Sequence, residues 1–134
     1  MKIGYDAKRL FFNTTGLGNY SRSLVQQMAE YYPQEEYVLF TPKPGNPCGF
    51  RIPEGVRTVE PQGFAARKLS SVWRSYSMGR SIRREGIDLF HGMSNELPAA
   101  IRKSRARSIV PLPDILFGHM PQLYQPAASP HTPL

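Results

Sequence analysis

Cysteine and long apolar runs are scarce or missing in this sequence, and the N-terminus does not look like a leader. Cys48 is the only cysteine, so no disulfide can form within the chain. A membrane-spanning helix requires a run of about 18 apolar residues, and the sequence contains no such run. Asp6 places a charge too early for the apolar part of a secretory signal. We therefore expect a cytoplasmic protein, either soluble or peripheral on the inner face of the membrane.

Several motifs with well-defined chemistry are absent as well. The sequence has no phosphate-binding loop ending in Gly-Lys-Ser/Thr, no Gly-x-Ser-x-Gly nucleophile elbow and no His-Glu-x-x-His zinc helix. The Pro-Cys-Gly-Phe context of Cys48 offers no second thiol for a metal ion. The sequence thus lends no support to a kinase or a hydrolase, and we expect no metal site.

Positive charge is present in excess and is concentrated in one part of the chain. The formal net charge is +7, and ten Lys and Arg residues stand against three acidic residues between positions 67 and 107. A dense basic segment attracts phosphate groups, and we expect the predicted helix 65–84 to contact an anionic membrane surface. The alternative is that these residues only form solvated helix faces. We expect no nucleic-acid partner, because Trp73 and Tyr76 fall on the apolar side of this helix, where core packing explains them.

Short apolar runs alternate with segments of helical periodicity. Strands are predicted over residues 2–6, 36–41, 56–59, 87–91 and 107–112. After a long turn over residues 7–15, a helix is predicted to begin near Gly18 and to end before Pro33. Its predicted buried face consists of Leu17, Tyr20, Ser21, Leu24, Val25, Met28 and Tyr32. The second predicted helix, 65–84, is ended by Gly86. This alternation predicts a doubly wound α/β fold, a parallel sheet with helices on both faces.

Ligands of doubly wound sheets bind beyond the carboxyl ends of the strands, and two segments are expected there. The first is the loop containing Gly16 and Gly18, where glycines and a helix N-terminus suit a phosphate. It lacks the third glycine of the dinucleotide fingerprint, so the glycines could also serve only to shape the loop. The second segment begins at His91, for which a structural role is the alternative. Glu96 and Asp114 are carboxylates on the same rim, but their spacing does not pair them as acid and base.

Four segments of the chain resemble the family 4 (group 1) glycosyltransferases, especially bacterial mannosyltransferase-like members. The opening carries most of the resemblance, through residues 1–9 (MKIGYDAKR) and 14–22 (TTGLGNYSR). Residues 69–76 (LSSVWRSY) and 86–98 (GIDLFHGMSNELP) are similar to the family in the same order and at similar spacing. The resemblance extends over roughly residues 1–124.

The resemblance implies a GT-B fold, in which two Rossmann-like domains enclose a cleft. The N-terminal domain mainly holds the acceptor, and the C-terminal domain binds a nucleotide-sugar donor such as GDP-mannose or a UDP-sugar. It implies transfer of a hexose such as mannose, with retention of configuration and without a cofactor, to a cell-envelope glycan or lipid-linked acceptor. Carried over to this chain, the donor-phosphate loop is Gly16, Leu17, Gly18 and Asn19, and the acceptor side is His91, Ser94, Asn95 and Glu96.

The chain departs from the family pattern in two places. Family members usually have a His-Asp pair after the fifth strand, and here Pro113 replaces the histidine while Asp114 is retained. Proline offers neither a side-chain proton nor a backbone N–H, which weakens the implied contact with the donor sugar and leaves the catalytic residues unassigned. The donor-binding domain is also expected to be absent. We expect residues 1–120 to form the acceptor-side domain and the Pro-rich residues 121–134 to form an irregular tail.

Three functions follow as hypotheses, and the one with the least support is a nucleic-acid-binding domain that uses the basic segment and binds less tightly as the salt concentration rises. The first is a glycosyltransferase domain that is not expected to transfer a sugar as a single chain. The alternative is a non-catalytic module of the same fold that binds a phosphorylated ligand or another chain.

Overall fold

The computed structural model describes residues 1–61 and 77–112. These residues form five strands, three α-helices and one 3-10 helix. In chain order they are β1 (Lys2–Asp6), α1 (Lys8–Phe12), α2 (Gly16–Tyr31), β2 (Glu36–Phe40), β3 (Val56–Val59), α3 (Met78–Arg84), β4 (Leu89–His91), a 3-10 helix (Ala99–Lys103) and β5 (Arg107–Ile109).

The strands form one parallel, five-stranded sheet in the order β3-β2-β1-β4-β5. The central strand β1 pairs with β2 on one side and with β4 on the other, so Tyr5 lies opposite both Leu39 and His91. The chain therefore builds outward from β1 in two directions. This confirms the predicted α/β class with a parallel sheet.

Alternate residues of the central strands pack into two separate cores, one on each face of the sheet. On the first face, Tyr5 and Leu39 pack with residues of α1 and α2. On the second face, Phe40 and Phe90 pack with α3 and the 3-10 helix, and their ring centroids lie 6.0 Å apart. Gly4 makes this packing possible, because a Cβ atom there would lie 2.9 Å from the Phe40 ring. Both faces of the sheet are thus covered by helices.

The prediction of a long turn over residues 7–15 is wrong. The chain forms α1 directly after β1, and the Ala7 N–H donates to the Phe40 carbonyl at 2.9 Å. Leu10 and Phe11 are buried in the core of the first face, so tertiary packing stabilises this short helix.

The helix predicted near Gly18 is confirmed as α2, but its predicted buried face is wrong at two positions. Tyr20 is 42% exposed, and Tyr32 is 50% exposed and lies beyond the end of the helix. Gly18, Ser21 and Val25 are the residues of α2 that are fully buried.

The second predicted helix is described only from residue 78 onward, as α3. Gly86 ends it as expected: its φ is +67°, and its N–H donates to the Arg83 carbonyl. Residues 65–76, Pro113, Asp114 and the predicted tail 121–134 lie outside the described residues. Within residues 1–61 and 77–112, no helix is both long and apolar enough to cross a membrane.

Candidate functional site

The candidate site lies at the carboxyl ends of β1 and β4, where the strand order reverses. The chain adds β2 and β3 on one side of β1 and then adds β4 and β5 on the other side. From these adjacent strands one loop leads into α1, and the other contains Ser94 and Asn95. Tyr5 and His91 pair across the two strands, and their ring centroids lie 5.7 Å apart. Doubly wound folds hold their ligands in the crevice outside the strand ends at such a point.

His91 has an unsatisfied nitrogen at this crevice. The imidazole is half-buried against the Tyr5 ring, and its Nε2 atom is buried without a hydrogen-bond partner. Burial lowers the pKa of His91 below its usual value of 6.5. The imidazole is therefore neutral at neutral pH, with one nitrogen able to donate and the other able to accept a hydrogen bond.

Ser94, in the loop after β4, provides a second buried polar atom without a hydrogen-bond partner. Its side chain is buried, with 7% of the residue exposed, and its Oγ atom has no hydrogen-bond partner. The loop is held by two backbone bonds, from Gly92 N–H to the Ile109 carbonyl and from Asn95 N–H to the Gly92 carbonyl. Asn95 adopts a positive φ of 62°, which completes the tight turn. The turn from Gly92 to Asn95 therefore holds Ser94 in its buried position.

The loop contains a glycine because its backbone folds back on itself. A Cβ atom on Gly92 would lie 2.3 Å from the Glu96 carbonyl oxygen, which is too close for any side chain. Asn95 and Glu96 are themselves exposed. Of the four predicted acceptor-side residues, His91 and Ser94 are therefore the two with buried polar atoms that have no partner.

The predicted phosphate loop, residues 16–19, forms the first turn of α2 instead of a loop. Asn13 holds this turn to the segment that precedes it. The Asn13 side-chain oxygen accepts hydrogen bonds from the Thr15 N–H at 2.9 Å and the Gly18 N–H at 3.2 Å. The Asn19 side chain accepts from Arg22 at 2.7 Å, and Arg22 also donates to the Asn13 carbonyl. Gly18 and Asn19 thus take part in bonds that hold the first turn of α2 in place.

Gly16 and Leu17 differ from the other two residues of this predicted phosphate loop. They open α2, a 16-residue helix whose N-cap residue, Thr15, makes no side-chain capping bond. The first N–H groups of a helix have no carbonyl partner within it, and they carry partial positive charge. No atom lies within 4 Å of a Cβ atom built on Gly16. Gly16 and Leu17 are thus the residues of this loop that can meet an anion.

Arg9 is a residue of this edge that the sequence did not single out. It lies in α1, between the end of β1 and the glycine-rich loop, and its Nε atom is buried without a hydrogen-bond partner. The neighbouring residues Leu10 and Phe11 share a core cluster with Met93 from the loop after β4. α1 and the loop after β4 therefore rest on one common core. Arg9 stands within the segment 1–9 that resembles the glycosyltransferases, but its sequence position alone does not reveal its burial.

The described carboxylates do not form a metal site. Asp6, at the end of β1, is 1% exposed, and its side chain accepts a hydrogen bond from the Lys8 N–H at 3.2 Å. Among residues 1–61 and 77–112, no group of three His, Cys, Asp or Glu side chains is arranged to hold a metal ion. Asp114 lies outside the described residues, so its predicted place on this rim is not described.

A basic cavity lies on the second face of the sheet, away from the strand ends. It has a volume of about 300 Å³ between α3 and the 3-10 helix, and it is lined by Gly79, Arg80, Arg83, Ala100 and Lys103. The three cationic side chains are exposed. The described end of the predicted basic helix thus exposes its positive charges, and anions can reach them.

The structural features that bear on function are the sheet and the segments that follow β1 and β4. No protein-family profile, curated protein or solved structure matches this chain. Function is therefore inferred from the residues of the site and from the resemblance in the opening of the sequence.

Proposed function

We propose that this chain forms the acceptor-side domain of a retaining, GT-B type glycosyltransferase similar to family 4. The reaction would transfer a hexose such as mannose from a nucleotide-sugar to a cell-envelope glycan or lipid-linked acceptor. The proposal rests on two buried polar atoms without hydrogen-bond partners at the carboxyl end of β4. They are Nε2 of His91 and Oγ of Ser94. The similarity of residues 1–9 and 14–22 to that family supports it.

Sugar hydroxyl groups match the chemistry of this pair. A hydroxyl both donates and accepts hydrogen bonds, as do a neutral imidazole and a serine side chain. A buried polar group without a partner destabilises the protein by about 1–3 kcal/mol, so a ligand that satisfies both groups recovers that free energy on binding. The lowered pKa of His91 keeps the imidazole neutral and suited to such bonds.

The start of α2 and the basic cavity suit the phosphate groups of the proposed substrates. The N–H groups of Gly16 and Leu17 open a 16-residue helix, where the helix dipole favours an anion. On the other face, Arg80, Arg83 and Lys103 present positive charge to an anionic membrane or a lipid-linked acceptor. No described residue is assigned a catalytic role, and the proposal places the donor site largely in a second domain.

Ligand binding is the first test. The chain Met1–Leu134 is heated with increasing GDP-mannose, UDP-glucose, GDP, UDP or methyl α-mannoside, and the melting temperature is recorded. Specific binding raises the melting temperature in a concentration-dependent way. Ser94→Ala and His91→Ala are expected to abolish that rise. Ser23→Ala, at an exposed position of α2, is the matched control and should behave as the wild type. A melting temperature unchanged by every ligand would contradict the proposal.

Transfer is tested separately with radiolabelled GDP-mannose and a membrane lipid extract as the acceptor source. Label that moves into the lipid fraction would support the enzyme and exclude the non-catalytic alternative. Ligand binding without transfer, also after addition of a donor-binding domain from a family 4 enzyme, would favour the non-catalytic module of the same fold.

A further inference from the structure

Three buried side-chain polar atoms in the described part of the chain lack a hydrogen-bond partner, and all belong to the same edge of the sheet. They are Nε of Arg9, Nε2 of His91 and Oγ of Ser94. Arg9 follows β1, while the other two residues end and follow the neighbouring strand β4. Folded proteins leave few buried polar atoms unpaired, so a set of three on neighbouring segments at one edge of the sheet points to a ligand-binding site.

Arg9 differs from the other two because it carries a permanent charge. A guanidinium group stays protonated in proteins, and burying part of it without a counter-charge is unfavourable. Its Nε atom has no hydrogen-bond partner. A bound anion would give this Nε atom a hydrogen bond and supply a counter-charge.

The backbone of Arg9 is held firmly in place. Its carbonyl accepts a hydrogen bond from the Asn13 N–H at 3.0 Å, and the next residue, Leu10, is completely buried. Arg22 donates to the Leu10 carbonyl at 2.8 Å and so ties α1 to α2. A side chain on such a support is pre-organised for a ligand, since little freedom is lost on binding.

We infer that Arg9 binds a phosphate group of the ligand, next to hydroxyl groups that His91 and Ser94 bind. This inference rests on the proposed function, because it concerns the ligand of the same site. The planar guanidinium fork matches the oxygens of a phosphate, and the short segment after α1 leads to the N–H groups at the start of α2. The phosphate belongs either to a phosphorylated sugar or to a nucleoside diphosphate.

The test compares probes that differ in phosphate. Binding of α-mannose 1-phosphate, GDP and methyl α-mannoside to the full chain is measured by isothermal titration calorimetry. The wild type is expected to bind at least one phosphorylated probe about tenfold or more tightly than methyl α-mannoside, as charge-assisted bonds to one phosphate allow. The probe that shows the preference identifies the source of the phosphate.

Substitution of Arg9 then locates the contact. Arg9→Gln removes the charge and should abolish the preference for the phosphorylated probe, while binding of methyl α-mannoside stays unchanged. Arg9→Lys keeps the charge but not the fork, and it should restore part of the preference. Arg51→Gln, at an exposed arginine, is the matched control and should keep the full preference. A full preference in Arg9→Gln would overturn the inference.

A direct spectroscopic readout covers the case in which Arg9→Gln does not fold. In protein labelled with ¹⁵N-arginine, the Nε–H resonance that is lost in Arg9→Lys belongs to Arg9, and it should shift as phosphate probe is added. An Arg9 resonance that stays in place while the probe binds overturns the inference. A wild type that binds methyl α-mannoside as tightly as the phosphorylated probes overturns it too and leaves the proposed function standing. Failure to bind any probe overturns both.

Discussion

The backbone oxygen of Asn13 occupies the space that a side chain at position 18 would need. A Cβ atom on Gly18 would lie 1.9 Å from this oxygen, and the Asn13 side chain also accepts a hydrogen bond from the Gly18 N–H. Gly18 is therefore required for the loop to close on the start of α2. Gly16, two residues earlier, has open space around its own Cβ position.

The two glycines are expected to respond differently to alanine. Gly18→Ala forces the loop away from α2 and should lower the free energy of unfolding by about 1–3 kcal/mol, the usual effect of overpacking. Gly16→Ala meets no atom and should change the free energy of unfolding by less than about 0.5 kcal/mol. Urea unfolding of both variants measures the difference. Equal effects at the two positions would contradict the geometry of the loop.

The sequence was sufficient to predict strands and helices with strong patterns, but not α1. β2 is marked by an apolar run, α2 by a helical repeat and β1 by Ile3 and Tyr5 on one face, and all three are present. α1 contains only five residues, too few for a repeat to show, and a helix that short is not stable by itself. It forms because Leu10 and Phe11 find a core built by distant segments. Such contacts depend on the whole fold.

The candidate site was predictable in part for a similar reason. His91 was predicted because it ends a strand, and the resemblance added Ser94. Arg9 was missed, because whether one nitrogen of an arginine is buried depends on the packing of α1 and on the loop after β4. A local sequence pattern does not contain that information.

The end of α2 is tied to β2 through Tyr37. The Tyr37 hydroxyl lies 2.8 Å from the Met28 carbonyl oxygen and 2.7 Å from the Tyr32 carbonyl oxygen, both at the C-terminal end of the helix. Tyr37→Phe should lower the free energy of unfolding by about 0.5–1.5 kcal/mol, because it removes the donor that these carbonyls share. Tyr31→Phe, at a residue that is 69% exposed, is the control and should have almost no effect. Chemical denaturation in urea provides the comparison, and similar losses in the two variants would refute the role of Tyr37.

Close contact between α3 and the 3-10 helix depends on Gly79. A Cβ atom there would lie 2.4 Å from the Cβ of Ala100 and 2.8 Å from its carbonyl carbon. Gly79→Ala should therefore lower the free energy of unfolding by about 1–3 kcal/mol, as the two elements are pushed apart. Adding Ala100→Gly removes the nearest atom and should restore part of that loss, so the double variant should be more stable than the sum of the single changes. Strict additivity of the two changes would exclude a direct contact.

The stability of the chain is expected to depend on pH through His91. Burial lowers the pKa of His91 in the folded state below the value of 6.5 that an exposed histidine has. Between these two pKa values the unfolded state binds a proton that the folded state does not, so stability falls as the pH decreases from about 7 toward the folded pKa. His91→Gln cannot titrate, and its stability should fall less over that range.

Other groups with shifted pKa values affect the stability outside the pH range in which His91 titrates. The hydrogen bond from Arg57 lowers the pKa of Glu85, so the stability it contributes is lost only as the pH falls below its usual pKa of 4.5. Glu35 raises the pKa of the N-terminal amine above 8.0, so its contribution is lost only at alkaline pH. Urea unfolding of wild type and His91→Gln at several pH values from about 5 to 8 isolates the histidine. Parallel pH profiles for the two proteins would show that His91 has the same pKa in the folded and unfolded states and is not desolvated at the crevice.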